Sequence, residues 1–131
     1  MTRYLISFHA GAMDHIPEEE MPDVSKASCE VVQEAVNAGV WVYGAGLESD
    51  ETSVVDTDGT VTDGPYPETK EVIGGFCVVD VPSHEEALKW AAKTAVACRC
   101  AQAVRVLLPD PPEITEMLRR AGGGQRRNDE V

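Results

Sequence analysis

Apolar positions along the chain alternate between the two-residue period of strands and the three-to-four-residue period of helices, and these switches mark out its elements. Tyr4-Leu5-Ile6-Ser7-Phe8 is rich in strand formers, and the loop behind it carries Gly11 and runs to about Pro22. Val24, Ala27, Val31, Val32, Ala35 and Val36 then fall at helical spacing, which predicts a helix opened by Asp23 and stopped by Gly39. Trp41 to Leu47 reads as a strand. Thr52 to Asp56 and Thr60 to Thr62 flank Asp58-Gly59, a two-residue hairpin signal, and this hairpin is expected to stand off the main sheet. Phe76 to Val81 is a near-continuous apolar run suited to a central strand and ended by Pro82. Ser83 with Glu86 forms a capping box ahead of the helix that carries Ala87, Leu88, Ala91, Ala92 and Ala95. Ala103 to Leu108, closed by Pro109, is the last strand.

Two strand-helix-strand units with their helices on one face describe a ferredoxin-like α+β sandwich, β-α-β-β-α-β, with an extra β-hairpin. Apolar residues occur on both faces of these strands. The helix-free face is therefore expected to pack on a second copy, and a homodimer is the firmest partner expectation.

Composition narrows the function classes. The chain of 131 residues is 43% apolar, which fits one core and one domain. We place that domain at residues 1–112 and expect a short helix and a disordered tail over 113–131, where Gly122-Gly123-Gly124 interrupts any apolar period. Residues 1–109 carry 7 Lys or Arg against 18 Asp or Glu, a surface that repels nucleic acid and anionic membranes. No apolar run approaches the roughly 20 residues needed to span a bilayer, and Met1-Thr2-Arg3-Tyr4 leads into a strand without a secretory pattern, so the expectation is a soluble, cytoplasmic protein. Cys29, Cys77, Cys98 and Cys100 are accordingly read as reduced thiols.

The densest stretch is Thr62-Asp63-Gly64-Pro65-Tyr66-Pro67-Glu68-Thr69-Lys70-Glu71-Val72-Ile73-Gly74-Gly75-Phe76. Its two prolines lock φ and bar Gly64 and Tyr66 from the helical region, so the turn is held. Gly74-Gly75 lets something approach the backbone closely just before the strand. A rigid polar loop beside a strand is a common pocket wall.

That stretch resembles the signature of the YCII-related, or DGPF-domain, family, in which an Asp-Gly-Pro-Phe turn precedes Glu-Thr-Lys and then Gly-Gly-Phe; Tyr66 stands here where Phe is usual. The likeness covers roughly residues 1 to 112. Ala12-Met13-Asp14-His15 and Ala97-Cys98-Arg99-Cys100-Ala101-Gln102 look like features of one subgroup. The resemblance implies a dimeric α/β barrel with two sheets facing each other. It also implies an acid/base dyad of a His on the first helix with an Asp, but this chain has Ser28-Cys29 about where that His would fall and no His on the helix.

Any catalytic histidine then shifts to His9 or His15, at the end of the first strand and in the loop beyond it. A carboxylate beside a His orients the ring and stabilises its charged form. Asp14 is adjacent to His15, and Asp63 is the more useful partner if the pinned turn delivers it across a pocket; the plainer reading is that Asp63 caps its own turn. Tyr66 and Lys70 are candidate substrate contacts, Lys70 through its ammonium, while Glu68 and Glu71 read as architecture. His84 reads as a surface residue. Cys98-Arg99-Cys100 supplies two thiols where a zinc site needs four ligands, so no metal or other cofactor is assigned. Trp41, Trp90, Met13 and Met117 read as packing.

Three function classes stay open. One is a small acid/base enzyme, a lyase or isomerase acting on a small polar or aromatic molecule, with His15, His9 and Asp63 moving protons and Asp14, Tyr66 and Lys70 holding substrate. The second is a non-catalytic small-molecule-binding module. The third is a dimer whose partner is another protein.

Overall fold

A computed structural model describes residues 1–48, 52–64 and 72–122. The expectations for Tyr66, Glu68, Lys70 and Glu71, and for the tail from Gly123 onward, lie outside the described residues.

Strand β1 (Thr2–His9) leads through a 3-10 turn (Glu18–Glu20) into helix α1 (Met21–Asn37) and strand β2 (Trp41–Gly46). The short strands β3 (Ser53–Val55) and β4 (Val61–Asp63) follow. Strand β5 (Ile73–Val81), helix α2 (His84–Cys98), strand β6 (Ala103–Val106) and helix α3 (Pro112–Arg120) complete the order. The main sheet is antiparallel with strand order β2-β5-β1-β6, so each strand-helix-strand unit skips over one strand. That is the ferredoxin-like arrangement. Among the described residues β3 and β4 pair only with each other, as the Asp58-Gly59 turn between them predicts: Gly59 takes φ +89°, and the Asp58 carboxylate accepts from Thr60 N at 2.9 Å.

Several boundaries differ from expectation, and at the starts of α1 and β5 the reason is local. α1 begins at Met21, with Pro22 inside its first turn, where a missing N–H costs no helical bond. Asp23 is therefore not the cap but an acidic residue in the first turn, favourable to the helix dipole. β5 begins at Ile73 because Gly74 and Gly75 continue the ladder, Gly75 opposite Phe8 on one side and Gly46 on the other. β6 stops at Val106, although Leu107 N still donates to Arg3 O at 2.9 Å. Ser83 caps α2 as its sequence says, accepting from Glu86 N at 3.2 Å.

Tyr4, Ile6, Val79, Val81, Ala87 and Ala91 form the buried core between sheet and helices, with Val40, Cys77, Trp90 and Val104 packed against it. On the opposite sheet face, Leu5 lies between Val78 and Arg105, and Ser7 between Phe76 and Ala103. Arg105 covers Ser7, donating to its hydroxyl at 3.4 Å, and Ser7 is only 2% exposed. Tyr43 stands 60% exposed, its ring 6.2 Å from that of Phe76. Among the described residues no helix is long and apolar enough to cross a membrane.

Candidate functional site

The core fills only part of the space between sheet and helices. Beyond Ile6 and Val79 the two layers leave a half-open cavity of about 540 Å³ between them, within the 300–1,000 Å³ usual for small-molecule sites. Small residues create it. α1 turns Ser25, Ser28 and Ala35 toward it, α2 contributes Ala97, and β2 contributes Gly44 and Gly46. A run of large side chains at these positions would have closed the layers.

Aromatic rings form much of its wall, and two of them need glycine. A β-carbon on Gly44 would stand 2.7 Å from the Trp41 ring and 2.9 Å from Cys77 Cβ. One on Gly75 would stand 2.6 Å from Phe8 Cζ. The object that Gly75 admits is therefore the Phe8 ring, while Gly74 admits the backbone of β1's end, with Ala10 Cα and His9 O each 3.0 Å from its missing β-carbon. Trp90 and Met13 complete the apolar wall, so Trp41, Trp90 and Met13, read from sequence as packing, are also lining, while Met117 is exposed on α3.

Polar groups in the cavity are few and neutral. Ser28 Oγ lies 3.4 Å from Cys98 Sγ, joining α1 to α2 across it. Thr94 spends its hydroxyl on Trp90 O at 2.9 Å. Gln102 sits at one end, its amide donating to Cys100 O at 3.3 Å. Burial pushes the Cys77 thiol up to about 11, with the nearby Cys98 sulfur adding to the shift. Burial, followed by the same neighbour, raises Cys100 too, against a lowering contribution from Gln102. Among the described residues, no Asp, Glu, Lys, Arg or His lines the cavity. Arg99 turns away from the thiols: it caps α2 in the left-handed region and pairs with Glu20.

A second recess, of about 250 Å³, lies at the end of β1, lined by Ser7, His9, Val72, Ile73, Gln102 and Arg105 among others. Here the signature run re-enters the described chain, with Val72 O accepting from Ala10 N at 2.7 Å. His9 thus sits beside the returning end of that run. Asp14 and His15 are exposed in the tight turns after β1, where Ala12 N donates to His9 O and Asp14 N to Gly11 O. Asp63 ends β4, opposite Ser53. Among the described residues no hydrogen bond or ion pair joins His9 or His15 to Asp14 or Asp63. His84 is exposed, its ring 5.9 Å from that of Tyr4.

Reasoning from residue type concentrated on histidines and carboxylates and passed over Ser28 and Cys98 as a pair. Two signals pointed to them: Ser28-Cys29 stands where the family resemblance puts a functional side chain, and the run from Ala97 to Gln102 was singled out as distinctive. That run supplies Ala97, Cys98 and Gln102 to the cavity, and the run from Ala12 to His15 supplies Met13.

A search of curated proteins finds no match to this chain. The model of one family, the YCII-related domain, matches residues 5–108, from β1 past the end of β6. The chain belongs to the YCII-related family.

Proposed function

We propose that this chain is a small-molecule-binding domain that works as a homodimer, with its ligand held between the sheet and the two helices. The cavity of about 540 Å³ carries this reading, because its apolar lining has been kept open by small residues on three separate elements. Packing at native density would ordinarily remove such a space. The homodimer is supported by the helix-free sheet face, where Leu5, Phe76, Val78 and the exposed Tyr43 lie together.

The test is a thermal-shift screen of the purified protein against hydroxylated aromatics, small carboxylates, phosphates and divalent metals. A ligand at about 100 times its Kd adds roughly 2.7 kcal/mol of stability. We expect a hit among the aromatics that disappears in Val32→Trp, which fills the cavity from α1. A panel without any hit would move the weight to a protein-binding role.

A second reading, an acid/base lyase or isomerase working at the Asp-Gly-Pro-Tyr loop, has one observation in its favour. His9 and Arg105 share the smaller recess with Val72, where the signature run rejoins the described chain. In that reading His9 moves the proton, His15, Asp63 and Asp14 serve from the loops, and Tyr66 and Lys70 contact the substrate. Turnover of a hit compound that is abolished by His9→Ala in a folded protein would support it.

A further inference from the structure

We infer that the cavity takes a neutral, largely apolar ring compound carrying a single hydroxyl or carbonyl group, and that Ser28 receives that group. The inference rests on the ligand-binding reading above and adds the chemistry of the ligand to it.

The preferred charge follows from the described part of the wall. A carboxylate, phosphate or ammonium that moves into the inner part of this space gives up part of its water and, among the described residues, finds no lining side chain of opposite sign. An unpaired ion in a low-dielectric site is among the most expensive arrangements in a protein. The Cys77 thiol does not supply a negative charge for a cation, because burial holds it protonated up to about pH 11. The end of α2 nearest Cys98 presents backbone carbonyls, which repel an anion.

Shape is decided by the rings. Phe8 and Trp41 press against the sheet at positions where only glycine leaves room, and Trp90 comes from α2. Aromatic surfaces on both layers favour a flat ring system held by offset stacking and edge contacts over a branched aliphatic one.

The polar end follows from which of the less exposed groups have hydrogen-bonding capacity left: Ser25 also lines the cavity but is exposed at its rim, and the Gln102 amide N–H already donates to Cys100 O. Thr94 is committed to the backbone of its own helix. Among the described residues Ser28 has only the Cys98 thiol, 3.4 Å away, and sulfur is a weak partner whether it donates or accepts. A hydroxyl has one donor and two acceptor positions, so a ligand oxygen reaching Ser28 replaces a poor hydrogen bond by a good one. The sulfur left behind tolerates an apolar neighbour.

Isothermal titration calorimetry of the whole chain with 2-naphthol and 2-naphthoate separates the outcomes, since the two share a ring system and differ in charge at neutral pH. We expect 2-naphthol to bind at least tenfold more tightly than 2-naphthoate. Ser28→Ala should weaken 2-naphthol roughly three- to tenfold, with an unchanged melting temperature showing that the fold is intact. Naphthoate binding as tightly as naphthol would overturn the neutral-ligand inference while leaving a binding cavity in place. Unchanged naphthol affinity in Ser28→Ala would overturn the role given to Ser28. No heat from either compound would remove the ligand-binding reading itself.

Discussion

Phe8 and Gly75 are one packing unit: the Phe8 ring occupies the space that a side chain at residue 75 would take, with Cζ 2.6 Å from where its β-carbon would stand. The two face each other across the β1–β5 ladder, next to the register shift between Phe8 and His9. A methyl group at 75 must therefore push the ring off the sheet and into the cavity. Gly75→Ala is expected to cost about 1–3 kcal/mol, the usual range for overpacking. Chemical denaturation of Gly75→Ala, Phe8→Ala and the double variant checks it. The double variant should lose clearly less than the sum of the singles, because removing the ring removes the clash; strict additivity would mean the ring yields freely.

The Cys77 thiol makes stability depend on alkaline pH. Its folded-state value of about 11 lies above the ordinary 9.0, so the fold favours the protonated form. Stability from this group is complete below about pH 9 and is lost as pH rises through about 11, because the unfolded chain releases the proton first. The shift corresponds to about 2–3 kcal/mol at its largest. Other groups titrate in the same range, so the measurement is a comparison: urea midpoints from pH 8 to 11 for the parent and for Cys77→Val. The parent should fall more steeply, and parallel curves would show that Cys77 ionises without leaving its site.

The sheet face opposite the helices makes a prediction about assembly. Tyr43, 60% exposed and 6.2 Å ring to ring from Phe76, stands over Val78 and Leu5 on that face. In a homodimer formed there, Tyr43→Asp buries a carboxylate against apolar groups and should raise the dissociation constant by a hundredfold or more, given several kcal/mol for an unpaired buried charge. Tyr43→Phe should leave it within a few-fold. Sedimentation equilibrium decides, and a monomeric parent would end the proposal for this face.

Features written in a few adjacent residues were legible in the sequence. Ser83 and Glu86 state the start of α2, and Asp58-Gly59 states the hairpin, since capping and turn chemistry act over three or four residues. The two periodic runs between them fixed the helices and hence the sheet. The signature run, carrying Gly74-Gly75, identified the family. The cavity was not legible, because it consists of what Gly44, Ser28, Ala35 and Ala97 do not fill, and no single one of these positions is unusual. Attention to His9, His15 and Asp63 followed residue type, and the described contacts hold these three on different elements. α1's early start was hidden by Pro22, which reads as a breaker everywhere except in a first turn.

The β3–β4 hairpin predicts a local instability that spares the rest of the molecule. Among the described residues its two strands bond only to each other, and its turn rests on Gly59 at φ +89° and on the Asp58 carboxylate holding Thr60. Those hydrogen bonds from Thr60, first its side chain and then its backbone, hold Asp58 below the usual carboxylate range. A lowered carboxyl value means the stabilisation is present above the ordinary 3.8 and is lost as pH falls through the folded value. Gly59→Ala, forced into a left-handed conformation, should open the hairpin at all pH values. Hydrogen exchange is the measurement: the amides of Asp56 and Gly64, which donate across the hairpin to Thr60 O and Thr52 O, should exchange faster in Gly59→Ala and in acid, while those of Val79 and Ile6 stay protected, as expected of a separate cooperative unit. If core amides lose protection together with the hairpin, Asp63 is coupled to the main sheet, and the reading that brings it to a histidine gains the mechanical link it needs.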